Sequence, residues 1–173
     1  MAHSLELLLD ADGDAAIRAI WAELDGAGLP SQLRVKSDTN RPHITLLAAG
    51  GIDAGVDDVL RDLARCLPLD CVVGAPVVFP GARMTLARLV VPSAELLALH
   101  EQVYRLALPH LTGDPFPHCR PGNWTAHATL GRRFTADEIG TALALTDGAD
   151  VAARLVSLRR WDGDARVDHL LVG

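Results

Sequence analysis

Two short stretches of this chain carry side chains able to do chemistry: Pro42-His43-Ile44-Thr45-Leu46 and Ala126-His127-Ala128-Thr129-Leu130. An imidazole titrates near pH ~6.5, so two of them can offer a neutral base and a protonated acid at one working pH. A threonine hydroxyl two residues on adds a hydrogen-bond donor. Successive strand side chains point to opposite faces, so His and Thr at i and i+2 share a face while Ile44 and Leu46, or Ala128 and Leu130, pack behind it. The pattern reads as a polar pair on a rigid strand, given twice. A lone His-x-Thr is ordinarily a core or surface histidine, but two copies that also share the following leucine arise by chance well under about 1% of the time.

The elements that must position these pairs follow from periodicity and turn chemistry. Residues 5–9 read as a strand and 12–25 as an amphipathic helix capped by Asp12, with Ile17, Ile20, Trp21 and Leu24 on one face and Gly26 and Gly28 as the stop. Strands over 31–36 and 42–48 flank the turn Ser37-Asp38-Thr39-Asn40, and a helix over 53–66 follows Gly50-Gly51. In the second half, strands over 69–79 and 84–91 form a hairpin through Pro80-Gly81, and a helix covers 93–108. Residues 112–123 read as an ordered, proline-rich loop leading into the motif strand 124–131, then a helix over 135–145 and strands over 151–161 and 167–172. The second half echoes the first, and the motif histidines stand 84 residues apart, so two similar α+β lobes can bring both pairs to one central groove.

At 173 residues the chain suits one domain, 1–173, with a well-filled core. Its net charge of −6 argues against a broad grip on a long nucleic acid, which needs many neutralised phosphates, but is compatible with a small or terminal phosphate. Cys66, Cys71 and Cys119 form no C-x-x-C, and no His-x-x-x-His stands with a carboxylate, so neither a metal nor another cofactor is expected. The opening Met1-Ala2-His3-Ser4 brings no basic leader and no later run approaches membrane-spanning length, so a cytoplasmic protein without membrane contact is expected.

With both motifs on strands, the chain resembles the two-histidine phosphoesterase superfamily, which contains the bacterial 2′-5′ RNA ligase-like cyclic phosphodiesterases. The resemblance rests on His43-x-Thr45-Leu46, on His127-x-Thr129-Leu130 followed by Gly131-Arg132, and on the order of elements between them. It implies an α+β, bilobal fold: two pseudo-symmetric lobes, each with an antiparallel sheet lining a central cleft and helices outside. It also implies metal-independent hydrolysis of 2′,3′-cyclic phosphates on RNA ends or nucleotides, or 2′-5′ RNA ligation by the reverse chemistry. The expected partner is a small nucleotide or RNA end, met by a monomer. Breaking a phosphodiester calls for a base on one side of phosphorus and an acid on the other, the roles of His43 and His127 in an order the sequence leaves open. Thr45 and Thr129 would hold non-bridging phosphate oxygens and Arg132 would add a charged contact. The competing expectation is a phosphate- or nucleotide-binding module without turnover.

Other residues carry weaker signals. Arg34 and Lys36 alternate on the strand before the first motif and are candidates for cleft contact. Trp124, three residues before His127, falls on the opposite strand face and reads as core packing ahead of base stacking. Phe116 and His118 read as loop anchors.

Overall fold

The computed structural model describes residues 2–146 and 148–173. The chain runs β1 (His3–Leu9), α1 (Ala11–Gly26), β2 (His43–Ala49), a two-residue β3 (Gly51–Ile52), α2 (Val56–Arg61), β4 (Leu69–Phe79) and β5 (Met84–Val90). It continues through α3 (Ala94–Ala107), a two-residue β6 (Leu111–Thr112), β7 (His127–Phe134), α4 (Ala136–Thr146), β8 (Val151–Asp162) and β9 (Val167–Val172). This is the expected mixture of helices and antiparallel sheet.

Three local expectations are corrected by side chains that bind their own backbone. The N-cap of α1 is Asp10, whose carboxylate accepts from the Gly13 N–H at 3.1 Å, and Asp12 lies inside the first turn. The strand expected over 31–36 is instead a 3-10 turn over Gln32–Arg34. Ser31 starts that turn by accepting from the Leu33 N–H, while its hydroxyl donates to the Trp21 carbonyl at 2.6 Å; Asn40 then staples the loop to the Gln32 and Val35 carbonyls. The helix expected over 53–66 is α-helical only over Val56–Arg61 and tightens to 3-10 over Asp62–Cys66.

The seven longer strands share one antiparallel sheet in the order β1-β2-β7-β5-β4-β8-β9, and because β1 also pairs with β8 the first six close a circuit. Where two sheets were expected to line the cleft, hydrogen bonding links all seven longer strands, through a seam of one register pair, Ile44 opposite Ala128, between β2 and β7, while β3 and β6 pair apart from them. Divided at Pro80–Gly81, the two parts of the chain trade strands: β4, which follows α2, pairs with β5, and β8, which follows α4, pairs with β1. The helices cover the apolar side, with α1 against β1, β7 and β8, α3 against β2, and α4 against β5. Leu5, Leu7, Ile44, Leu46, Leu130 and Phe134 are fully buried there, each contributing about 1.5–3 kcal/mol by leaving water. The alternation that buries Ile44 and Leu46 turns His43 and Thr45 the other way, toward a groove.

Candidate active site

That groove, of about 630 Å³, has His43 and Thr45 from β2 together with His127 and Arg132 from β7 on its walls. The two imidazoles are mounted alike. His43 Nδ1 lies 2.8 Å from the Arg41 carbonyl and His127 Nδ1 lies 2.7 Å from the Thr125 carbonyl, in each case two residues earlier. A carbonyl can only accept, so each Nδ1 bears the hydrogen and each Nε2 is left for the groove.

Both motif strands carry a bulge at the leucine that ends the motif. On β2 the register passes from Thr45 opposite Glu6 to Leu47 opposite Leu5; on β7 it passes from Thr129 opposite Ala87 to Gly131 opposite Leu86. The extra residue resets the alternation, and so brings Arg132 to the same side as His127, which a regular strand would not do. Gly131 is required at this bend: a Cβ there would collide with the Pro30 carbonyl and come within 2.8 Å of the Phe134 ring. With the seam so narrow, the carbonyls beside the site find other donors. Trp124 Nε1 donates to the Thr45 carbonyl at 2.9 Å, and Trp21 Nε1 donates to the Thr129 carbonyl at 3.0 Å.

Behind His43 stands a buried ionic cluster that sequence reasoning missed. Glu6, on β1, accepts from the Ser4 hydroxyl at 2.6 Å and from Arg159 Nε and Nη2 at 2.9 and 2.8 Å, and its Oε1 lies 3.7 Å from His43 Nε2. Arg159 also holds Asp168 at 2.8 Å and the Thr39 carbonyl at 3.0 Å. Burial pushes the Glu6 carboxyl up, but His43, Arg159 and Ser4 together outweigh it and keep the group below the ordinary carboxylate range. His127 sits in different surroundings, with the Phe79 ring centroid at 4.6 Å. Burial lowers its proton affinity and the positive charges of Arg132, His43 and His118 lower it further, against the hydrogen bond to Thr125, so it lies below the usual imidazole range. The signal for Glu6 was present as a lone carboxylate inside the apolar run Leu5-Glu6-Leu7-Leu8-Leu9.

The other expected site residues divide. Thr129, 7% exposed, occupies the register position across the seam from His43 but does not reach the groove wall. Trp124 does line the groove; its ring stacks on the buried His100 at 4.0 Å, and since β7 begins only at His127, strand alternation does not govern where it points. Phe116 and His118 line the groove as well, on a loop tied to β2 by the Phe116 N–H donating to the Ala48 carbonyl at 2.9 Å. Arg34 and Lys36 are corrections: without a strand to carry them neither lines the groove, Arg34 pairing with Asp25 at 2.5 Å and Lys36 exposed. Among the described residues no three His, Cys, Asp or Glu side chains gather as a metal-binding group, and no helix is long and apolar enough to cross a membrane.

The family model of the 2′-5′ RNA ligase superfamily matches residues 11–171, a span that takes in both His-x-Thr motifs. The chain belongs to the 2′-5′ RNA ligase superfamily. This is the two-histidine phosphoesterase group to which the motifs pointed. Within the described fold, superfamily membership agrees with similarity to solved structures of Kluyveromyces marxianus Usb1, at 13% identity over 99% of this chain and 98% of that one, with a TM-score of 0.56. A second structure of that protein, with uridine monophosphate, matches over the same shares at 13% identity and a TM-score of 0.57. No curated protein sequence matches the chain.

Proposed function

We propose that this protein is a metal-independent phosphodiesterase that hydrolyses 2′,3′-cyclic phosphates, on nucleotides or RNA ends, through His43 and His127, and that it can join RNA 2′-5′ by the reverse reaction. The observation that carries the reading is the matched mounting of the two imidazoles in one groove, each with Nδ1 tied to a carbonyl and Nε2 left on the groove side. One Nε2 takes a proton from water as its oxygen bonds to phosphorus; the other gives a proton to the departing ribose oxygen as the opposite P–O bond breaks. Water plus cyclic diester become a monoester and a hydroxyl, and solvent exchange returns both rings to their starting states. Thr45 on the wall supplies a hydroxyl donor to the non-bridging oxygens, and Arg132 supplies positive charge where negative charge grows.

The groove suits one nucleotide in size, lying within the usual range of about 300–1,000 Å³ for small-ligand sites. Aromatic side chains at Phe79, Phe116 and Trp124 on its walls offer faces for a base. The uridine monophosphate in the structure of the similarly folded Usb1 supports a nucleotide-sized ligand. The test is turnover of a 2′,3′-cyclic nucleotide in EDTA by the wild type, His43→Ala and His127→Ala. Turnover by the wild type and its loss in both variants is the expected result. Tight binding with no turnover by any form would make the protein a nucleotide-binding module, and a requirement for added metal would overturn the mechanism.

A further inference from the structure

A site built from two like strands has no inherent direction, because either imidazole could start as acid or base. The register shows where the likeness ends. Thr45 pairs with Glu6 of β1, whereas Thr129 pairs with Ala87 of β5, so equivalent places beside the two motifs hold a carboxylate and a methyl group. We propose that Glu6 gives the site its direction, holding a proton on His43, which acts as the acid, and so leaving His127 as the base; this rests on the acid–base reading above.

The charges facing each ring support the assignment. Glu6 Oε1 stands 3.7 Å from His43 Nε2, and the arginine behind it, Arg159, is shared with Asp168, so Glu6, Arg159 and Asp168 together present one net negative charge to His43. From across the seam His43 faces His127. Arg132, His43 and His118 share the groove with His127, and among the described residues no carboxylate forms an ion pair with it. At a separation of 3.7 Å the Glu6 carboxylate attracts positive charge placed at His43 Nε2, while Arg132, in the same groove as His127, repels it there. In the forward reaction His127 Nε2 accepts the water proton as the O–P bond forms, and His43 Nε2–H is delivered to the leaving ribose oxygen as its P–O bond breaks. Glu6 does not touch the reacting atoms in this scheme; it is a positioning residue for the proton.

Two measurements test the proposal. In the first, ¹⁵N NMR of the imidazoles, assigned with His43→Ala and His127→Ala, is recorded near pH 6.5 on the wild type and on Glu6→Gln. The expected result is a greater protonated fraction on His43 than on His127 in the wild type, with Glu6→Gln lowering it on His43 alone. Equal fractions, the reverse order, or no response to Glu6→Gln overturns the proposal. Because this readout needs no turnover, an inactive wild type with rings polarised as stated would defeat the proposed function and leave the proton assignment standing. In the second, hydrolysis of a nucleoside phosphodiester whose leaving group is 4-nitrophenolate, which departs without a proton, is compared with that of the cyclic nucleotide. His43→Ala is expected to lose about 10²–10⁴-fold on the cyclic substrate but to stay within about tenfold of the wild type on the activated ester, whereas His127→Ala loses on both. Rescue of His127→Ala in place of His43→Ala overturns the assignment, and this second comparison stands even if Glu6→Gln is poorly folded.

Discussion

Ile44 stands directly opposite Ala128, the middle residue of one His-x-Thr facing the middle residue of the other. In antiparallel pairing this sets His43 across from Thr129 and Thr45 across from His127, so each half of the proposed site is completed by the other strand. The pairing extends no further, and the strands part to leave the groove. Two indoles then take the carbonyls that a longer ladder would have used.

Trp21→Phe tests that substitution of partners. The Trp21 ring is 2% exposed, so losing its N–H leaves the Thr129 carbonyl buried without its donor, at a cost of about 1–3 kcal/mol in stability. Urea titration should show an earlier midpoint with an unchanged slope. Trp124→Phe, at a half-buried position, should cost less stability and more activity, because its bond holds the Thr45 backbone at the groove wall.

At the β7 bulge, Gly131→Ala should be costly in both respects. The added methyl meets the Pro30 backbone, which cannot swing aside as a side-chain tip would, and the Phe134 ring. Overpacking of this kind costs typically about 1–3 kcal/mol. Displacing β7 also moves Arg132, so turnover of a cyclic nucleotide should fall more than the loss of folded protein explains.

Arg132 and Arg34 make a contrasting pair. Arg132→Ala should weaken turnover and shift the pH profile: removing a cation that lowers the His127 proton affinity moves the acidic limb of kcat/KM to higher pH, while burial still holds that limb below the ordinary imidazole range. Arg34→Ala and Lys36→Ala should leave kcat/KM unchanged, since neither reaches the groove and an exposed bridge such as Arg34–Asp25 contributes only about 0–1 kcal/mol.

Glu6 also makes a prediction about acid stability. Its carboxyl has a lower pKa in the folded protein than in the unfolded chain, so its contribution is fully present above the unfolded value and is lost as pH falls through the folded one. Thermal melts taken from neutral pH down through the carboxylate range should fall more steeply for the wild type than for Glu6→Gln, which begins less stable at neutral pH. Parallel curves would mean that the carboxylate contributes nothing to the acid limb.

What could be read from the sequence was whatever a repeat spacing or an apolar period controls. The motif strands, α1 and α3 with their buried faces, and the β4–β5 and β8–β9 hairpins all follow from local patterns. The 31–36 segment misled because Arg34 and Lys36 alternate with apolar neighbours, yet Ser31 and Asn40 hold that backbone in a turn through bonds no periodicity reveals. Glu6 was passed over for a different reason: its meaning depends on Arg159, 153 positions away in the chain, and that distance closes only when β8 pairs with β1. Arg132 was singled out from the motif alone, but the bulge that aims it is a property of pairing and could not be counted from residue types.

The traded strands give the molecule an interlocked character. Cutting the chain within Pro80–Gly81 would leave β1 without β8 on one fragment and β5 without β4 on the other, so each would expose a bare ladder edge along its own motif sheet. Neither histidine can therefore be displayed on an independently closed half. Refolding must bring together partners more than 140 residues apart, such as Leu7 and Leu158, for Glu6 and Arg159 to meet beside His43. The proposed site in this sense draws on both ends of the chain, and its integrity reports on the whole molecule.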